Sequence, residues 1–291
     1  MKVLNGAELA GYVKERQARV VRSAEAVWGA GVVRSAEVAR STEGVQGAQG
    51  AWRRPKLVIV RDSDNPVITK YVQLKMRYGA DIGVEVEDYR ANDASEIAKK
   101  IRQANRDEGV DGIIIQLPIK DSEETTRLCD MIAPDKDVDG LGSRARYDSA
   151  TATAILWLLA GYDIGLAGKK IALVGRGKLV GGPLSTIFAA SQYDYEMFHR
   201  GSDLTKLKEF DIIISATGVP GLVLDAMVKP GAVVVDAGTA SEDGVLKGDV
   251  DDSVRRRDDL DAITPVVGGV GPLTIACLFE HVLQAYEKRK R

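Results

Sequence analysis

Residues 170–183, Lys-Ile-Ala-Leu-Val-Gly-Arg-Gly-Lys-Leu-Val-Gly-Gly-Pro, constrain the fold more than any other stretch of the chain. A short apolar run passes there through a glycine-rich turn into a segment that suits a helix. Ile171 to Val174 have the length and side-chain type of a buried strand. Gly175 and Gly177 permit a turn that a Cβ would obstruct, and a helix starting beyond them aims unpaired N–H groups at an anion. Open α/β sheets cradle the phosphates of a dinucleotide in this way. Counting gives Gly175, Gly177 and Gly181, a G-x-G-x-x-x-G spacing one residue longer than the general fingerprint. On this stretch alone, a nucleotide site and an ordinary tight strand-to-helix turn both stand.

The chain has 291 residues, 45% apolar and 28% charged, which is enough to bury a full core and suggests two domains of ordinary size. A formal charge of −2 provides no basic field for nucleic acid. No stretch approaches the roughly 18 apolar residues that span a bilayer. The first residues lack the charged-then-apolar pattern of a signal peptide, so a soluble, cytoplasmic protein is expected. Cys129 and Cys277 lie far apart in helix-like patterns without ligand spacing, which argues against a disulfide or a metal site. His199 and His281 are the two histidines, and neither lies near a nucleophile-elbow pattern.

Apolar residues recur near helical spacing over 4–27, at Leu4, Leu9, Tyr12, Val13, Val20, Val21, Ala24 and Val27. The hexapeptide Val-Val-Arg-Ser-Ala-Glu stands at 20–25 and again at 32–37, a local duplication too small for a repeat architecture. Glycines at 44, 47 and 50 make 39–54 a flexible loop. From Pro55, strands and helices alternate: strand 56–61, helix 66–79, strand 84–89, helix 93–105, strand 112–116 and helix 123–132. That order predicts an α/β domain with a mainly parallel sheet. Asp93 reads as a helix N-cap, and Gly109 as the stop of the same helix. A second domain begins near Asp148 with a helix through 153–160, followed by strands at 171–174, 193–198, 211–215, 232–236 and 261–264.

Several stretches could carry chemistry. Tyr71 and Lys75, at i and i+4 on one predicted helix, project from the same face and could orient a substrate and move a proton. A half-exposed face with a solvated lysine would look the same. Gln116 ends a strand just before Leu117 and Pro118, at a carboxyl end where open sheets bind ligands. The turn-like 134–140 is either a functional acidic segment or a solvated loop. The glycine-dense 264–274 either approaches a ligand with its backbone or serves as a plain hinge.

Taken in order, these stretches resemble a known family. Tyr71-Val-x-x-Lys75, Gly112-Ile-x-x-Gln116-Leu-Pro118, Lys136-Asp-Val-Asp-Gly140, the turn at 175–183 and Gly268-Gly-Val-Gly-Pro-x-Thr274 are similar to the methylenetetrahydrofolate dehydrogenase/cyclohydrolase (FolD) family. Each motif is modest alone, and their order is specific. The likeness runs from about residue 55 to the C-terminus and leaves roughly 18–54 uncovered. It implies an α/β fold of two domains around a cleft. Residues 1–147, completed by a C-terminal helix over 272–291, would form a folate-binding catalytic domain with a mainly parallel sheet, and 148–271 a Rossmann-like NAD(P)-binding domain. It also implies a homodimer and a folate substrate.

The reaction so implied is NADP-dependent oxidation of 5,10-methylenetetrahydrofolate to the methenyl form, followed by hydrolysis to 10-formyltetrahydrofolate. Carried over by motif, Lys75 is the central acid/base group, Tyr71 packs on or bonds the folate, Gln116 holds Lys75, and Asp139 accepts hydrogen bonds from the pterin. Leu117, Pro118, Gly269, Pro272 and Thr274 complete the substrate site. The cofactor site comprises Thr151, Gly175, Arg176, Gly177, Val180, Gly181, Pro183, His199, Arg200, Ala216, Thr217, Gly218, Gly238, Thr239 and Gly271. No metal is implied.

The chain departs from the family pattern at four places. Ile68 stands where serine is common, Thr151 lacks its usual prolines, Gly177 replaces a frequent serine and Val267 a frequent proline. A strand carboxylate that would select NAD is absent after 193–198. His199 and Arg200 follow that strand instead, with Arg176 in the turn, which favours the 2′-phosphate of NADP. A dehydrogenase for another pterin carrier, or a catalytically weak binding homologue, are the alternatives.

Overall fold

The structure, a computed structural model, describes residues 1–39, 53–238, 240–242 and 245–289. By contact the chain falls into two compact units, Met1–Gly11 with Asp137–His281 and Tyr12–Lys136 with Val282–Arg291. It opens on a two-residue strand, β1 (Lys2–Val3), and a long helix, α1 (Gly6–Ala39). The expected end at residue 27 is overrun, and the second hexapeptide copy lies inside the helix. No proline interrupts that stretch, and the glycines at 29 and 31 each weaken a helix by only about 1 kcal/mol. Gln17, Ala18 and Val21 point inward, whereas Tyr12 and Val20, members of the apolar series, are exposed. Most of the expected loop at 39–54 lies outside the described residues.

The unit that contains Tyr12–Lys136 is built on β2 (Lys56–Arg61), α2 (Pro66–Ile82), β3 (Glu85–Arg90), α3 (Ala94–Arg106), β4 (Gly112–Ile115) and α4 (Thr125–Asp130). The three strands pair in parallel in the order β3-β2-β4. Central β2 buries Leu57, Val58, Ile59 and Val60 completely, the continuous apolar run of a parallel strand covered on both faces. Helix α2 starts where the Asn65 side chain accepts the Val67 N–H, with Pro66 in the first turn. It stops at Gly83, whose φ of 83° is left-handed. Asp93 caps α3 by accepting from Ser95 and Glu96, as the sequence indicated. Its end differs from expectation: the helix closes at Arg106 with Asp107 as cap, and Gly109 sits in the following turn with its N–H on the Asp107 carboxylate. Helix α4 is shorter than 123–132, because a 3₁₀ turn capped by Asp121 precedes it.

The other unit carries α5 (Ala150–Gly161), β5 (Ile171–Val174), α6 (Gly181–Ala190), β6 (Tyr195–Phe198), β7 (Ile212–Ser215), β8 (Val233–Asp236), the hairpin β9 (Ala240–Glu242) and β10 (Val245–Lys247), α7 (Asp252–Arg255), β11 (Ala262–Ile263) and the start of α8 (Val270–Arg289). Six strands form a parallel sheet in the order β1-β11-β8-β7-β5-β6. Neither β1 nor the hairpin is readable from the sequence, since two or three residues are too few to show a period. After β5 the chain moves first to β6 on one side and then to β7 on the other. That reversal makes the carboxyl end of β5 the switch point at which open α/β sheets bind ligands.

Candidate active site

The glycine turn stands at that switch point. Gly175 has φ 106°, and a Cβ there would lie 2.6 Å from the Ala216 carbonyl oxygen at the end of β7. A Cβ on Gly181 would sit 1.8 Å from the Gly175 carbonyl oxygen, so the first residue of α6 must be glycine for the helix to lie on the turn. Gly177 differs from its expected role. A Cβ there would meet nothing closer than Ala216 O at 3.9 Å, an ordinary contact. Val180 precedes α6 without a side-chain cap; the Gly182 N–H turns back onto the Gly177 carbonyl at 3.0 Å and Pro183 has no N–H, so the helix start offers an anion the Gly181 N–H. Pro183 occupies the first turn of the same helix. These features fit a dinucleotide's phosphates: the backbone clearance is present and no side chain caps the helix N-terminus.

Around the turn the register gathers most of the expected cofactor residues. Val174 pairs with Phe198, and the Gly175 N–H donates to the Phe198 carbonyl at 2.9 Å, so Arg176 and His199-Arg200 leave neighbouring strands at the same end. Arg176, His199 and Arg200 are exposed. The 199–202 turn is closed by Ser202, whose Oγ accepts the His199 N–H. Ala216, Thr217 and Gly218 follow β7, and Gly238 follows β8. Thr239 lies outside the described residues. Thr151 is in the first turn of α5, whose cap Ser149 donates its hydroxyl to the Leu179 carbonyl at 2.6 Å. Ser149 thus ties α5 to the glycine turn, a link that no spacing in the sequence signals. Gly271, Pro272 and Thr274 lie at the start of α8. Gly269 precedes them, with its carbonyl against Gly6, where a Cβ would come within 1.9 Å.

In the Tyr12–Lys136 unit, Tyr71 and Lys75 occupy successive turns of α2, both half-buried. Lys75 Nζ donates to Gln116 Oε1 at 2.6 Å, and Gln116 Nε2 donates to the Leu117 carbonyl. Gln116 stands one residue beyond β4, with its N–H on the Val60 carbonyl at 2.8 Å. The Leu117–Pro118 bond is cis. The following loop is held by buried Asp62, which accepts the Lys120 N–H on both carboxylate oxygens. Burial pushes the Tyr71 phenol above its ordinary pKa. Ile68, on the same helix, is buried and supplies no hydroxyl.

The 134–140 segment is not the solvated loop that its composition allows. Lys136 is 5% exposed and donates to the carbonyls of Ala104, Asn105 and Asp107 at 2.6–3.0 Å, closing the C-terminal end of α3 with a cation. Burial, aided by the Arg289 charge, lowers its pKa to about 8. Asp137, in the other unit, is buried and accepts the N–H groups of Gly140, Leu141 and Gly142. Burial raises its pKa against those bonds. This carboxylate sets the loop carrying half-buried Asp139, whose carbonyl takes the Ala150 N–H. His281 contacts the Val138 carbonyl through Nδ1 at 2.8 Å and stacks on Tyr147. Cys129 and Cys277 are buried and form no disulfide.

Two α/β units, one with a glycine cradle at a parallel-sheet switch point and the other with a lysine held by an amide, define an NAD(P)-binding oxidoreductase class. The catalytic-domain model of tetrahydrofolate dehydrogenase/cyclohydrolase matches residues 31–139, and the NAD(P)-binding-domain model of the same enzymes matches 149–290. The chain belongs to the tetrahydrofolate dehydrogenase/cyclohydrolase family. It is 39% identical over 254 residues to the bifunctional protein FolD of Hydrogenobaculum sp., covering 81% of this chain and 91% of that one. Among solved structures it is similar to the bifunctional enzyme FolD from Campylobacter jejuni, with TM-score 0.83, 28% identity and 99% of both chains covered. A second is the Trypanosoma brucei FolD complexed with NADP cofactor and inhibitor, with TM-score 0.80, 28% identity and coverage of 99% and 98%.

Proposed function

We propose that this chain oxidises 5,10-methylenetetrahydrofolate with NADP and hydrolyses the resulting methenyl cation to 10-formyltetrahydrofolate. The observation that carries the reading is the Lys75–Gln116 hydrogen bond at the carboxyl end of a parallel sheet. The nicotinamide, when bound, accepts the hydride from the methylene carbon. Hydrolysis then needs a base that takes a proton from water as its oxygen adds to the methenyl carbon. Lys75 in its unprotonated form fills that role. Gln116 orients it by accepting its hydrogen bond through the amide oxygen. The C–N5 bond then breaks, N5 takes up a proton, and the formyl group stays on N10.

Tyr71, whose raised pKa keeps its hydroxyl protonated, packs on or donates to the folate. Asp139 accepts from the pterin. Leu117, Pro118, Gly269, Pro272 and Thr274 line the substrate, and the 175–183, 199–200, 216–218 and 238–239 segments, with Thr151 and Gly271, hold the cofactor. The folate domain is 1–147 with 272–291, and the cofactor domain is 148–271. The protein is a cytoplasmic homodimer. Arg176 and Arg200 bind the 2′-phosphate and favour NADP over NAD. The test follows methenyl absorbance after purified protein meets methylenetetrahydrofolate and NADP. Absorbance rises and then falls as the cation is hydrolysed; no rise with either NADP or NAD overturns the proposal.

A further inference from the structure

The carboxyl ends of β7 and β8 are joined by two buried acids that the reaction does not use. Asp249, 1% exposed, accepts the Ser215 hydroxyl at 2.8 Å and the Thr217 N–H at 2.6 Å, both on Oδ2. Asp236, at the end of β8, accepts the N–H groups of Gly238, Asp249 and Val250, each at 3.0 Å, and pairs with Arg255. Arg255 also donates to the Thr264 carbonyl, and the Thr264 hydroxyl accepts the Asp236 N–H. The packing is reciprocal. A Cβ on Gly238 would lie 2.0 Å from Asp249 Oδ1, and a Cβ on Gly248 would lie 2.0 Å from Asp236 Oδ2. Each acid therefore fills the space that a glycine in the other's loop leaves open.

The bond to Thr217 has a direct consequence. A backbone N–H in a loop is oriented by whatever accepts it. Thr217 is the centre of the 216–218 segment, and Ala216 O is the atom that packs against Gly175. Moving Thr217 therefore moves both the loop after β7 and one wall of the glycine turn.

We infer that Asp249 is a positioning residue for the cofactor: it holds the 216–218 loop in its binding shape through Thr217 N–H and Ser215 Oγ, and sets Gly238 beside it. Asp249 touches neither cofactor nor substrate. The inference rests on the proposed NADP-dependent activity, and wild-type protein showing methenyl formation establishes that premise independently. The experiment compares wild type, Asp249→Ala, Asp249→Asn and Ser215→Ala. KM for NADP and kcat are measured for the dehydrogenase, NADP affinity by calorimetry, and hydrolysis of supplied methenyltetrahydrofolate without cofactor. In Asp249→Ala, KM and Kd for NADP rise about tenfold or more, equivalent to about 1.4 kcal/mol, while cofactor-free hydrolysis is unchanged because Asp249 holds Ser215 and Thr217, neither of which is in the proposed substrate site. Asp249→Asn keeps an acceptor oxygen and restores NADP affinity to within about threefold of wild type. Should Asp249→Ala fail to fold, Ser215→Ala carries the test, with KM for NADP a few-fold higher and hydrolysis unchanged. An unaltered KM in that variant, equal losses of both activities in Asp249→Ala, or an Asn variant no better than Ala overturns the inference.

Discussion

The two chemical regions are made differently. The cofactor turn is a matter of backbone clearance: at Gly175 and Gly181 any Cβ meets a carbonyl oxygen closer than 3 Å, and no side chain performs the cradling. The Lys75–Gln116 pair is a matter of side-chain contact between residues on α2 and beyond β4. A backbone-built site is broken by adding atoms, and a side-chain-built site by removing a functional group. The first kind of damage weakens binding, and the second stops a step.

The largest effect is therefore expected from Lys75→Met, which keeps the length of the side chain and removes its proton acceptor. Methenyl hydrolysis falls by about 10²–10⁴-fold, the usual contribution of a positioned acid or base. Part of the dehydrogenase activity survives, because the glycine turn proposed to hold the cofactor is untouched. Stopped-flow decay of methenyl absorbance checks this, and a hydrolysis rate equal to wild type would remove Lys75 from its assigned role.

Next comes Gly181→Ala, which tests the other kind of site. The added methyl would lie 1.8 Å from the Gly175 carbonyl oxygen, so α6 or the turn must shift. Overpacking of this sort costs about 1–3 kcal/mol of stability, and NADP affinity falls about tenfold or more. Hydrolysis of supplied methenyltetrahydrofolate continues, since Lys75 and Gln116 are in the other unit. Calorimetric NADP binding and thermal unfolding together decide it, and full NADP affinity in the folded variant contradicts the clearance argument.

The same difference explains what was legible in the sequence. Clearance leaves a mark, because glycine is the residue that meets it, and the spacing of Gly175 and Gly181 announces the turn. Strands such as β2, β4, β5, β7 and β8 are also legible, since burial on both faces leaves continuous apolar runs. Long-range polar contacts leave none. Lys136, Asp236 and Asp249 look like surface charges in a sequence, yet each is buried with partners on other segments. Tyr71, Lys75 and Gln116 are candidates by helical spacing and strand position, and their roles come only by resemblance. The length of α1 is not legible, because apolar periodicity reports a packed face and not where the helix ends.

A smaller effect is expected for the Arg176→Ala/Arg200→Ala pair. Both side chains are exposed at the carboxyl ends of adjacent strands, where a 2′-phosphate would be paired by charge rather than enclosed. Removing them lowers the ratio of kcat/KM for NADP over NAD about tenfold, with kcat nearly constant. High salt reduces the wild-type preference in the same direction, because exposed pairs are screened. Equal efficiency with the two cofactors in the wild type would show that these arginines do not select.

Gly177→Ser should have the smallest effect, and it separates the glycines of the turn from one another. Spacing alone makes Gly177 equivalent to Gly175, but its Cβ direction is open to 3.9 Å and its φ is not in the left-handed region. Serine therefore fits without moving Ala216, and its hydroxyl adds a donor at the mouth of the phosphate cradle. Stability stays within about 0.5 kcal/mol of wild type, the range of a substitution that disturbs no packed group. NADP affinity is unchanged or modestly improved, by less than about threefold. A loss comparable to that of Gly181→Ala would mean that the turn needs backbone freedom at Gly177 as well, and the distinction between the two glycines would fail.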